Sequence, residues 1–200
     1  MDLTLYTNPE YGQYQIDSLV KKLGTVRGMG FDEMKSEIEA ARKTWVLSHG
    51  GKKPSLSNIF LTYGISMEEN IRWRGEVYEP GEFIKADPRL RKTLEELSRS
   101  YILGVVTNNP VIVARKTLAA LGVGELLPII VGLDTCMIAK PHKIPFSKFS
   151  ELSACPPETC VSIGDRYDID LDIPLEMGMG GILVDGVEDV YGLPGVLMNG

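Results

Sequence analysis

The order of elements in the amino-acid sequence predicts an α/β protein, with a parallel Rossmann-like sheet interrupted near its start by an all-helical insert. Two observations carry this expectation. From about residue 100 onward, short apolar runs alternate with stretches of helical periodicity. Residues 11 to about 80, by contrast, show helical stripes and no strand-like run. Strands too apolar to face water belong to parallel sheets covered on both faces, and such sheets place their ligands beyond the carboxyl ends of the strands.

The first strand of the alternating region is YILGVV at 101–106, whose β-branched and aromatic residues suit a buried strand. Asn108, Asn109 and Pro110 break it, and VIVARKTLAAL at 111–121 follows as a helix that stops at Gly122. LPIIVG at 127–132 reads as the next strand, 144–153 as a helix, CVSIG at 160–164 as a strand, 169–178 as a helix and GILV at 181–184 as the last strand. The tail from Tyr191 is short and rich in Gly and Pro, and is expected to be a loosely packed end.

In the insert, expected at 8–84, FDEMKSEIEAARKTW places Met34, Ile38, Ala41 and Trp45 on one stripe, which Gly50 and Gly51 end. Ser66 and Glu69 make a capping-box pattern, and Asp87 with Pro88 caps the helix leading back to the sheet. The aromatics Tyr11, Tyr14, Trp45 and Trp73 fall at helical spacing and read as core before they read as a base-stacking surface. Residues 1–7 and 85–200 would form the α/β core.

A net charge of -6 and no basic run argue against a nucleic-acid polymer or an anionic membrane as partner. A small charged ligand held by a metal remains compatible. Cys136, Cys155 and Cys160 fit neither a disulfide framework nor zinc-ligand spacing and read as incidental thiols. No apolar stretch approaches the ~20 residues that span a bilayer, so cytoplasmic residence is expected.

Four short segments carry the chemistry. SIGDRYDIDLDIP puts Asp165 directly after a strand and Asp170 five residues on, with Gly164 at the turn. Two such carboxylates suit a hard divalent cation such as Mg²⁺; Asp168 and Asp172 read as capping or solvated acids. In VVTNN, Thr107 emerges at a strand end and Asn108 follows, a hydroxyl and a neighbouring N–H able to hold a phosphoryl oxygen. In AKPH, Lys140 supplies one point charge to a phosphate and to the acids. His142 and His49 read as surface or capping residues. The chain opens Met1, Asp2, Leu3, Thr4.

Taken together the four segments resemble the signature of the haloacid dehalogenase (HAD) superfamily of Mg-dependent phosphatases. The words TLY after Asp2, the helical insert, and ADPRLRKTLEEL before VVTNN resemble its pyrimidine 5'-nucleotidase-like branch. The resemblance implies a HAD core with a helical cap inserted after the first motif. It also implies an Asp-x-Asp-x-Thr motif in which Asp2 is the second aspartate, a general acid and base, and Thr4 the threonine.

The sequence departs from the family at one point, because the nucleophilic aspartate and its strand would lie ahead of Met1. These 200 residues are therefore expected to belong to a longer protein, the alternative being a natural chain that has lost that residue, and alone to be weakly active or inactive and less stable.

In the intact family, the resemblance implies an aspartyl-phosphate formed on the first aspartate and hydrolysed with help from Asp2, giving free phosphate. Mg²⁺ would be held by that nucleophile, the Asp2 backbone carbonyl and Asp165, with Asp170 supporting it, and the substrate phosphate by Thr107, Asn108 and Lys140. The substrate would be a small phosphorylated metabolite, a nucleotide or sugar phosphate. Two alternatives stay open: a non-catalytic protein that binds phosphate or a partner through the same site, and a dehalogenase on the same fold. A dinucleotide-binding domain is disfavoured, since no G-x-G-x-x-G follows a first strand.

Overall fold

A computed structural model describes residues 1–51 and 54–198. They fold into two compact units, one of Met1–Pro9 with the residues from Glu79 onward, the other Glu10–Tyr78. The helical unit is thus shorter at both ends than the 8–84 read from the sequence, because the turn at Pro80–Glu82 and Ile84 belong with the α/β unit.

The helical unit contains α1 (Pro9–Arg27), α2 (Phe31–Ser48), α3 (Leu56–Thr62) and α4 (Met67–Val77). Of the stripe read on α2, Met34 and Ile38 are buried. Tyr11 and Trp73 are fully buried, with Trp73 meeting Phe60 edge to face at 5.9 Å, so these aromatics are core. Ser66 caps α4 by accepting from the Glu69 N–H at 3.1 Å. Inside the unit Arg74 donates from Nε to Asn70 Oδ1 at 2.8 Å and from Nη2 to Ser57 Oγ at 2.7 Å.

The α/β unit continues with α5 (Pro88–Leu97), β1 (Gly104–Val106), α6 (Val111–Leu121), β2 (Ile129–Val131) and α7 (Leu133–Cys136). Then come α8 (Lys143–Ser153), β3 (Val161–Gly164), α9 (Asp172–Glu176), β4 (Gly180–Leu183), α10 (Val187–Val190) and α11 (Leu193–Leu197). β1, β2 and β3 lie inside their sequence-read runs but are shorter, with Tyr101 to Leu103 outside β1, and β4 begins and ends one residue before the 181–184 read for it. The segment read as one helix at 169–178 is a π-turn at Tyr167–Leu171 followed by the short α9. The sheet is parallel and falls into two pairs, β1 with β2 (Val105 opposite Ile130) and β3 with β4 (Ile163 opposite Ile182). Helix α8 packs on both β1 and β2, α6 on β2, and α9 on β4.

The C-terminal segment corrects the sequence reading. Over residues 191–198 it is not loose: Leu193 and Pro194 of α11 are buried, Tyr101 Oη donates to Leu197 O at 2.6 Å, and α10 and α11 both pack on α5. Tyr191 anchors it by donating to Asp87 Oδ2 at 2.5 Å, while Asp87 Oδ1 caps α5 by accepting from the Arg89 and Leu90 N–H groups. Burial first, then Asp87, pushes the Tyr191 phenol from its ordinary 10.0 up to about 12. A raised folded-state value means that the native protein holds this proton more tightly. The stabilisation is complete below pH 10 and is lost as pH rises toward 12. Denaturant midpoints measured across that window are therefore expected to fall more steeply for the wild-type chain than for Tyr191→Phe.

Candidate active site

The carboxyl ends of β1 and β3 open on one cluster of polar side chains. Thr107 follows β1, and its Oγ accepts from the Asn109 N–H at 3.2 Å. Asp165 follows β3 and accepts from Thr4 Oγ at 3.2 Å. The chain reaches Thr4 through a tight first turn, in which the Leu5 N–H donates to Met1 O at 2.8 Å and Leu3 adopts a positive φ of 55°.

Asp2 sits in this turn with both oxygens engaged. Tyr6 Oη donates to Oδ1, and Asn109 Nδ2 donates to Oδ2 at 2.9 Å. The Met1 amino group is buried beside it; that burial, and next Lys140, holds it below its ordinary value.

Lys140 and Asp170 form an ion pair of 2.5 Å, their side chains only 9% and 10% exposed. Asp170 Oδ2 also accepts from the Arg166 N–H at 3.2 Å. Gly164 is required here for close approach: a Cβ at that position would stand 2.4 Å from Asp170 Cβ. Any larger residue would push Asp170 off Lys140.

The site residues read from the sequence fall in two linked groups, Asp2, Thr4 and Asp165 in one, Lys140 and Asp170 in the other. Asn108 has a role the sequence did not suggest. Its amide takes the Lys140 N–H on Oδ1 at 2.7 Å and gives Nδ2 to Lys140 O at 3.1 Å, clamping the lysine loop. Sequence reasoning also missed Asn109 and Tyr6, the two partners of Asp2. Their only signals are adjacency, Asn109 repeating Asn108 after Thr107, and Tyr6 standing one turn beyond Asp2. Asp168 and Asp172 are exposed, with Asp168 paired to Arg166 at 2.9 Å. His142 caps α8, and His49 stacks on Trp45 at 3.9 Å.

As to a cation, no three acidic, His or Cys side chains gather into a cage among the described residues. The donor chemistry nevertheless suits a small hard ion that keeps much of its water and binds through one or two carboxylates together with a phosphate. Asp165 takes a single hydrogen bond, whereas Asp2 and Asp170 have both oxygens engaged. The cysteines are free, and burial pushes the thiols of Cys136 and Cys160 up.

A parallel α/β unit with carboxylates, a threonine, an asparagine and a lysine gathered near the carboxyl ends of its strands has its polar groups where such sheets place their ligands. The profile of the haloacid dehalogenase-like hydrolases matches residues 6–184, and the chain belongs to that family. It is 33% identical over 100 residues to the phosphoglycolate phosphatase of Escherichia coli strain K12, covering 49% of this chain and 39% of that protein. A Pectobacterium atrosepticum phosphoglycolate phosphatase is 24% identical over 126 residues, 54% of each chain. The chain thus matches only about two fifths to a half of the length of these curated relatives.

Among solved structures, a HAD phosphatase from Thermococcus onnurineus superposes with a TM-score of 0.66 at 21% identity, over 98% of this chain and 94% of that one. A 2-haloacid dehalogenase from Pseudomonas syringae pv. Tomato DC3000 gives 0.60 at 15% identity, over 100% and 96%. Likeness at these identities establishes the fold. No described helix is long and apolar enough to cross a membrane.

Proposed function

We propose that this site serves Mg²⁺-dependent hydrolysis of a small phosphate monoester in the cytoplasm. The observation that carries this reading is the hydrogen-bond chain from Asp165 through Thr4, Asp2 and Asn109 to Thr107, with the adjacent Asn108 holding Lys140, which gathers a carboxylate, a hydroxyl and a cation suited to a phosphoryl group. Bound Mg²⁺ would supply charge neutralisation for the phosphoryl oxygens, with Asp165 the carboxylate best placed to hold it and Asp170 behind it.

The chain's own residues then divide the work. Lys140, fixed by Asp170 and by the Asn108 clamp, offers positive charge to the phosphate. Thr107 offers its hydroxyl. Asp2, steadied by Tyr6 and Asn109, is the proton carrier for the leaving oxygen and then for water. The attacking carboxylate of the family's path would stand two residues ahead of Asp2 and is not among these 200 residues.

The relatives' names favour a phosphorylated small acid, and the resemblance of the insert favours a nucleotide; both belong in the test panel. The polypeptide, alone and preceded by an apolar strand ending in Asp, is to be assayed on an aryl phosphate, phosphoglycolate, pyrimidine nucleotides and a 2-haloacid. The expected result is release of phosphate by the longer form that stops when a chelator is added. Halide release without metal would favour a dehalogenase. No turnover of any compound, with phosphate still bound, would leave a binding protein.

A further inference from the structure

The pairing of β1 with β2 continues past the last residues of both strands. The Thr107 N–H donates to Val131 O at 2.9 Å, and the Leu133 N–H donates to Asn109 O at 3.0 Å. These two bonds carry the parallel ladder across the loop of Thr107, Asn108 and Asn109. Beyond it the chain turns into α6, whose first N–H, that of Val111, has no intrahelical acceptor. Pro110 stands at the cap position and has no side-chain oxygen to offer. The cap comes instead from the neighbouring loop, where Asp134 Oδ1 accepts from the Val111 N–H at 2.8 Å.

Gly132 makes this contact possible. A Cβ at that position would stand 2.7 Å from Asp134 Oδ1 and 2.7 Å from Val111 N, so any side chain there would push between the carboxylate and the helix. The support behind Asp134 is firm, since Val131 and Leu133 are buried and the Gly132 N–H donates to Thr135 Oγ at 3.0 Å. Asp134 itself is exposed. Solvent therefore screens its charge, and what the contact requires is an acceptor oxygen.

We propose that Asp134 is a positioning residue of the candidate active site. The loop of 107–110 is held at one end by β2, at Thr107, and at the other by Asp134, at Val111. Between these points Asn108 exchanges two hydrogen bonds with the Lys140 main chain, and the Thr107 hydroxyl accepts from the Asn109 N–H. Asp134 thereby fixes the Thr107 hydroxyl and the Lys140 loop relative to each other from outside the cluster. Without the cap the first turn of α6 frays, and the fraying reaches Asn109 and Asn108. Its benefit to a bound phosphate rests on the phosphate reading of the site, whereas the positioning is measured without any ligand.

The test uses the whole chain with Asp134→Ala, which removes the acceptor, and with Asp134→Asn, which keeps it without the charge. Amide exchange is followed by NMR at Asn109 and Lys140, whose N–H groups bond Thr107 Oγ and Asn108 Oδ1, and at Val184, which bonds Gly164 O in the other strand pair. Asp134→Ala is expected to speed exchange at Asn109 and Lys140 about fivefold or more, the scale of a lost cap, and to leave Val184 unchanged. Asp134→Asn is expected to keep wild-type exchange at all three. The proposal is overturned if Asp134→Ala leaves Asn109 and Lys140 at their wild-type rates, or if Asp134→Asn behaves as Asp134→Ala does. It is also overturned if Val184 speeds up equally, which would make Asp134 a stabiliser of the whole fold. Phosphate binding is measured alongside by calorimetry: a wild-type chain that binds none ends the phosphate reading, while the exchange rates still decide the role of Asp134.

Discussion

A polypeptide lengthened by an apolar strand that sets an aspartate directly before Met1 is expected to release phosphate on the order of a thousandfold faster than the 200 residues alone. The expectation follows from the division of labour at the site. Asp165, Lys140 and Thr107 can position a phosphate and neutralise its charge, and Asp2 can carry a proton. None of them is placed to form the covalent intermediate, because Asp2 is tied to Tyr6 and Asn109, and Asp170 to Lys140. Removing the nucleophile of a working enzyme leaves only what positioning and electrostatics supply. In the lengthened form, Asp2→Asn keeps the hydrogen-bond geometry but loses the proton carrier, and is expected to lower kcat about a hundredfold or more. Equal rates for the two lengths would remove the nucleophile from the account.

Lys140→Ala is expected to destabilise the fold by about 3 kcal/mol, the scale for removing one partner of a buried ion pair. Both side chains are some nine-tenths buried, so little solvent screens the pair, and Asp170 would keep only the Arg166 N–H. The double change Lys140→Met with Asp170→Asn removes both charges together and should cost much less. Urea midpoints of the two variants decide the matter. Equal losses would show that the pair is not coupled.

The sequence made the alternation of strands and helices legible because apolar runs and Gly or Asn breaks are local signals. The Asp87 cap was legible for the same reason, since a cap lies two or three residues from the N–H groups it serves. In the sequence Thr107 and Asp165 stand just beyond strands, Asp170 follows Asp165 by five residues, and Lys140 is marked only by its order relative to them. Their pairing was not legible. That Lys140 meets Asp170, that Asn108 clamps the lysine loop, and that Tyr6 and Asn109 hold Asp2 are tertiary facts without periodicity. Gly164 was read as a turn residue, whereas its smallness matters because Asp170 folds back onto it. The C-terminal tail was misread because its Gly and Pro content hides the short helix α11, and its anchor, Tyr191 on Asp87, spans 104 residues. The opening of the sheet into two pairs also left no mark on the composition of β1 or β3.

The central claim, that Asp165, Lys140 and Thr107 make a phosphate site served by a divalent cation, is tested most directly by titrating inorganic phosphate into the 200-residue chain by calorimetry. This measurement needs no nucleophile. Binding is expected to require Mg²⁺ and to be weakened at least tenfold by Asp165→Asn, which preserves the hydrogen bond from Thr4. Phosphate binding of equal strength without Mg²⁺ and in the variant, or no binding at all, would contradict it.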